Sequence, residues 1–280
     1  MDYGQTLRFG VFITPEATER PLRMAALADE LGFDLVGVQD HPYQRRFFDT
    51  MTLLGAMAVR TERIHLFPDV ANMQLHPPAL LAKAAATIDI LSAGRFELGL
   101  GAGGFSQAVH AYGGPAWTPG EAVSALEEAI QVIRLLWSGE HGTRFEGRYH
   151  HLAGAHSGPV PAHPIGIWLG AYRPRMLSLV GRLADGWVPS FGYVKPPDLL
   201  DANRRIDEAA EAAGRDPRTI RRVLNAGMLD GETLVALAVD YGMDTFLIAD
   251  VPEVMRDFMS DVAPRVREQV LESRRSRRAD

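Results

Sequence analysis

The 280-residue chain contains no cysteine. That excludes disulfides, thiolate metal centres and cysteine nucleophiles, so any redox chemistry needs a borrowed cofactor. Positive charge is not in excess either: 29 Lys and Arg stand against 35 Asp and Glu, for a formal net charge of -6. Nucleic acid and anionic membranes are therefore poor partners, and a small-molecule substrate is expected. No apolar run reaches the roughly 18 residues that cross a bilayer, and no basic segment leads into an apolar one near the start, so a cytoplasmic protein is expected. Lysine is scarce. Lys83 in a helical stretch and Lys195 in a loop leave no strand-end amine for a Schiff base. His141, His150, His151, His156 and His163 fall in one irregular stretch rather than at strand ends, which argues against a metal-dependent hydrolase, and no metal is expected.

What is present is a regular alternation. Short apolar strand patterns recur at Arg8 to Ile13, Leu35 to Gln39, Ile64 to Val70, Phe96 to Leu100, Ile165 to Leu169, Gly186 to Pro189, Arg222 to Ala226 and Thr245 to Ile248. Helical patterns stand between them, at Pro21 to Leu31, Pro78 to Leu91, Pro119 to Trp137, Pro174 to Leu183, Pro197 to Ala213, Gly231 to Tyr241 and from Pro252 onward. Most start at proline and several end at glycine. With 46% hydrophobic residues and no low-complexity linker, the pattern predicts an α/β protein, a single (β/α)8 TIM barrel over 1–280. The alternation is interrupted after strand four, where an insertion over about 102–163 holds one long helix and a stretch, Phe145 to His150, patterned as a β-hairpin arm. The segment from about 265 to 280, with six arginines against three acids, reads as a solvated, frayed basic tail.

Barrels of this kind place their chemistry at the carboxyl ends of the strands. Strand two ends in Asp40-His41, an acid beside an imidazole, which suits proton transfer; a turn-capping Asp with an exposed His is the alternative. Strand four runs into Gly99-Leu100-Gly101-Ala102-Gly103-Gly104, where bare glycines admit a flat ligand or another backbone. Strand five runs into Gly170-Ala171-Tyr172-Arg173-Pro174, where a helix start and an arginine suit a phosphate.

Together with Phe9 to Phe12, Ala28 to Asp34, Leu91 to Gly101, Pro164 to Ala171 and Ala184 to Trp187, these segments resemble the bacterial-luciferase-like family of flavin and deazaflavin oxidoreductases. The resemblance spans nearly the whole barrel. It implies that the mouth binds coenzyme F420 or FMN, and Asp40-His41 is more similar to the deazaflavin branch. By the same resemblance Asp40 and His41 contact ring or substrate, with His41 first choice for the proton, and Gly101, Ala102 and Gly103 lie along the cofactor. Gly170, Ala171, Tyr172 and Arg173 hold its phosphate. Asp69-Val70 matches a non-prolyl cis pair that supports the ring, followed by Asn72 at a ring edge.

Two departures stand out. Some relatives carry an acid directly after the glycines of strand four, whereas this chain has Gly103-Gly104-Phe105-Ser106, with His110 further on as another candidate. The phosphate turn carries Tyr172-Arg173-Pro174 in place of small residues. The resemblance implies hydride transfer between F420 and a small organic substrate. The alternatives are a two-component monooxygenase using reduced FMN and oxygen, and a non-catalytic flavin-binding homologue. A homodimer and a separate flavin or F420 reductase are the implied partners.

Overall fold

The computed structural model describes residues 1–279, with side chains through Arg277. The Arg278 side chain and Asp280, counted above in the basic tail, lie outside the described residues.

In chain order the first half comprises β1 (Arg8–Ile13), α1 (Arg20–Leu31), β2 (Leu35–Val38), α2 (Thr50–Arg60), β3 (His65–Pro68), β4 (Ala71–Asn72), α3 (Pro78–Leu91), β5 (Leu98–Gly101), α4 (Ser106–Ala111) and α5 (Pro119–Trp137). There follow β6 (Thr143–Glu146), β7 (His151–Ala155), β8 (Ile167–Leu169), α6 (Pro174–Leu183), β9 (Gly186–Trp187), α7 (Pro196–Ala212), β10 (Arg221–Gly227), α8 (Gly231–Val239), β11 (Thr245–Ala249), α9 (Pro252–Asp257) and α10 (Ala263–Ala279). Proline in the first turn of α1, α3, α5, α6, α7 and α9 costs no hydrogen bond and pre-sets φ. Helix α2 is not expected from the sequence, because it has no such punctuation; the Asp49 carboxylate starts it by accepting from the Thr52 N–H.

Strand order is β3-β2-β1-β11-β10-β9-β8-β5-β4, and its neighbours run parallel. The two end strands are halves of one stretch of chain, 65–72, interrupted by Asp69-Val70. Leu66 bonds across to Arg95 and Glu97 before β5, and β4 pairs with β5, so the sheet closes into eight staves. The peptide between Asp69 and Val70 is cis. The barrel interior is a small apolar plug of Leu35, Phe67, Trp168, Val188, Val223 and Leu247, against which Phe12 and Val70 pack. The larger core lies between staves and helices.

The expected insertion is narrower than 102–163. Helix α5 is a barrel helix, buried along Ala122, Leu126, Ala129, Ile130 and Ile133, so the additions are the segment carrying α4 and the antiparallel β6–β7 hairpin. The expected frayed tail is corrected too. It is helix α10, which buries Val266 and Val270 while Arg274 pairs with Asp2 and Arg277 with Asp240. Apolar side chains on one face turn a basic segment into a barrel helix.

Several residues that carry the family resemblance close the amino-terminal end of the barrel. Asp29 accepts from the backbone of Glu62, Arg63 and Ile64. Arg95 bonds to the carbonyls of Ala58, Thr61, Ile64 and Ser92. These groups are remote from the mouth and serve the fold.

Candidate functional site

The carboxyl ends of the staves surround one cavity of about 1040 Å³. Phe12, Val70 and Val188 of the interior plug line it, together with Trp187 and residues of the loops. Of the residues singled out in the sequence, Asp40, His41, Asp69, Val70, Asn72, Gly101, Ala102, Gly103, Gly170, Tyr172 and Arg173 line it. Ala171 is buried and not among the lining residues; its carbonyl accepts from the Trp187 indole at 2.9 Å.

The glycines answer the question left open by the sequence. A Cβ on Gly99 would stand 2.0 Å from the Pro68 carbonyl oxygen, and one on Gly101 or Gly170 would stand 2.9 or 3.0 Å from Val70 Cγ2. It is the backbone and side chain of the broken third stave that use this room. Gly103, at φ +91°, is required by its left-handed conformation and by Gln74, whose amide bonds to the Ala102 carbonyl at 2.7 Å.

Asp40 and His41 do different work. Asp40 is buried; its Oδ2 accepts from the Asn72 N–H at 2.7 Å and faces His76 Nε2 at 3.1 Å, while its Oδ1 has no partner among the described residues. It therefore ties the loop after β2 to the end of β4. Burial pulls the His76 ring downward, but the hydrogen bond and charge of Asp40, with Asp49 beyond, outweigh it and leave His76 raised. In Asp40→Asn the His76 ring should titrate at lower pH than in wild type, read from its ring-proton shifts; an unchanged His76 would contradict the pairing. Asn72 itself uses Oδ1 to cap the next turn at Gln74 N–H.

His41 is free of Asp40. Its Nδ1 shares a 2.7 Å hydrogen bond with the Tyr43 hydroxyl, and Nε2 has no partner among the described residues. Burial pushes its pKa down, opposed by the Asp40 charge, so the ring is neutral at pH 7. Phe105, held at φ 55°, packs edge-on against it with 5.5 Å between centroids. This aromatic follows the glycines in the segment where some relatives carry an acid. His110 is exposed on α4 and does not line the cavity.

Asp69 is the unusual group. It is 9% exposed, its Oδ2 is buried without a partner among the described residues, and burial pushes its pKa up to about 7 against a hydrogen bond from Asn225. Across the cavity Asn225 gives one amide N–H to Ser190 Oγ at 3.2 Å, and its Oδ1 is buried and unpaired among the described residues. Tyr172 accepts from the Ser190 N–H and packs on Tyr193 at the rim. Arg173, immediately before α6, and Arg205 on α7 are the exposed cations of the lining.

Sequence reasoning missed His76, Tyr43, Gln74, Asn225 and Arg205. Asn225 had a signal, since it sits at the carboxyl end of the seventh stave; the others are set by loops and by α7. Of the aromatics considered for a pocket wall, Trp187 and Phe105 line the cavity, Trp168 packs on Phe67 inside the barrel, and Trp117 packs on Tyr149 near the hairpin.

Residues 5–275 match the family profile described as luciferase-like monooxygenase. The chain is 31% identical over 223 residues to a 5,10-methylenetetrahydromethanopterin reductase of Archaeoglobus fulgidus, covering 79% of this chain and 64% of that protein. It is 34% identical over 203 residues to an F420-dependent glucose-6-phosphate dehydrogenase of Nakamurella multipartita, covering 66% and 59%. The chain thus spans about three fifths of the length of these relatives. The coenzyme F420 dependent tetrahydromethanopterin reductase of Methanopyrus kandleri superposes with a TM-score of 0.79 over 94% of this chain and 100% of that one, at 19% identity, which speaks for the fold.

Proposed function

The chain belongs to the luciferase-like monooxygenase family, and on that footing we propose that it transfers a hydride between coenzyme F420 and a small organic substrate at the barrel mouth. The observation that carries the proposal is the cavity itself. Its lining joins Val70 and other apolar side chains to Asp40, Asp69 and Asn225, each of which keeps a buried oxygen without a partner among the described residues, and has Arg173 at a helix start. That set fits a flat heteroaromatic ring with an anionic tail. The curated relatives named above include an F420-dependent dehydrogenase.

When bound, the deazaflavin supplies the carbon that gives or takes hydride. Val70 would support the ring, and Arg173 with the free backbone N–H groups that follow Pro174 would hold the phosphate. His41, neutral and with Nε2 unpartnered, takes the proton released when a substrate is oxidised and returns it in the reverse direction. Phe105 and Tyr43 shield that imidazole.

Two accessory statements belong to the same proposal. Val59, Leu80, Ile90 and Leu91 are exposed on α2 and α3, and we assign this face to a homodimer contact. F420 turned over here is recycled by a separate F420 reductase, in the cytoplasm; among the described residues no helix is long and apolar enough to cross a membrane.

The family description favours a second reading, a two-component monooxygenase using reduced FMN. Anaerobic assays of F420 reduction or oxidation with hexose phosphates and reduced pterins, run beside oxygen uptake with reduced FMN, separate the two. Expected are F420-linked turnover and no protein-dependent oxygen uptake; uptake driven by reduced FMN without F420 turnover contradicts the proposal.

A further inference from the structure

An acid on the floor of a cavity for a flat ring is either a charge that repels acceptors or a donor that recruits them. Resting on the F420 reading above, we propose that Asp69 serves as a neutral carboxylic acid, donating a hydrogen bond to an acceptor atom, a carbonyl oxygen or ring nitrogen, on the buried edge of the bound ring. Ligand affinity is thereby tied to one proton on this residue.

The geometry carries the argument. Asp69 lies in the break of the third stave just before Val70, lines the cavity, and is 9% exposed. Among the described residues its Oδ2 and the Oδ1 of Asn225 are both buried acceptors without a donor; the Asn225 amide gives one N–H to Ser190 and keeps one for the Asp69 carboxyl. Heavy atoms alone thus give the floor more acceptor oxygens than donors. One proton on Asp69 converts one of these acceptors into a donor, whereas an ionised carboxylate there stays short of partners at high cost. The other titratable groups of the lining are Tyr172 and Tyr193 from the loops after β8 and β9, Asp40, His41 and Tyr43 from the loop after β2, and Asp198 and Asp201 on α7. None brings a cation at neutral pH: burial pushes the Tyr172 phenol up and the His41 ring down. The cations Arg173 and Arg205 lie at the exposed rim. Burial holds the Asp69 proton to about pH 7.

The test is a fluorescence titration of F420 against wild type and Asp69→Asn from about pH 6 to about pH 9, with infrared difference spectra of the same two ligand-free proteins. In wild type the Kd should rise by an extra factor of about ten per pH unit above about pH 7, relative to Asp69→Asn. The amide of the variant still donates but does not titrate. The infrared difference should show a protonated carboxyl that disappears over the same range. Equal slopes in both proteins, affinity that strengthens with pH because the ligand donates to a carboxylate, or no protonated carboxyl would each overturn the proposal. Absence of F420 binding to wild type at every pH would overturn the cofactor reading as well, and is distinguishable from intact binding with no Asp69-dependent slope.

Discussion

Gly99→Ala should destabilise the protein by more than about 4 kcal/mol, an effect of the size reserved for strain that the structure cannot relax. The added Cβ would lie 2.0 Å from the Pro68 carbonyl oxygen and 3.2 Å from a Phe67 ring carbon. The obstructing atom is backbone at the end of β3, directly before Asp69-Val70, and cannot swing away as a side chain would. Moving it would pull the third stave from the fourth and shift the floor under Val70. Gly104→Ala is the control. Nothing lies within 4 Å of its Cβ, so its cost should stay within about 0.5 kcal/mol. Urea denaturation of both variants measures the contrast. Equal small effects would show that the close approach of the two staves is not a feature of the folded protein in solution.

Asp69→Asn should change the pH dependence of stability nearly as strongly. The folded protein holds the Asp69 proton to about pH 7, whereas the unfolded chain releases it near the ordinary 3.8. A raised folded pKa contributes stability that is fully present below the unfolded value and is lost as pH rises through the folded one. Wild type should therefore lose about 4 kcal/mol relative to Asp69→Asn between about pH 4 and about pH 8, taking the whole interval at 1.36 kcal/mol per unit. The variant removes the titration, so it should be the more stable protein at alkaline pH. Parallel stability curves for the two proteins would contradict a buried, protonated Asp69.

Much of the architecture is legible in the sequence because proline and glycine mark the element ends. Pro78, Pro119 and Pro174 start the helices that they were expected to start. Helix α2 is less legible, since its start depends on Asp49 and its end on Thr61, neither of which punctuates a sequence strongly. Mouth residues are legible where they follow a strand, as His41, Gly101 and Tyr172 do. Their partners are not: His76 reaches Asp40 from beyond β4, and Asn225 meets the floor near Asp69 from the far side of the barrel. Such pairings depend on closure of the sheet, which no local pattern encodes. The role of Gly99 shows the same limit, because the sequence leaves open whether ligand or backbone fills the space and only the broken third stave decides it.

The central claim is that the barrel mouth is an F420 site whose anionic tail is held at Arg173. It is tested most directly by titrating wild type and Arg173→Ala with F420 and, separately, with oxidised and reduced FMN, following cofactor fluorescence. Saturable binding of F420 in preference to FMN, weakened about tenfold in the variant by loss of one charge-assisted contact, is the result this account predicts. Binding of FMN alone, or of neither cofactor, would contradict it.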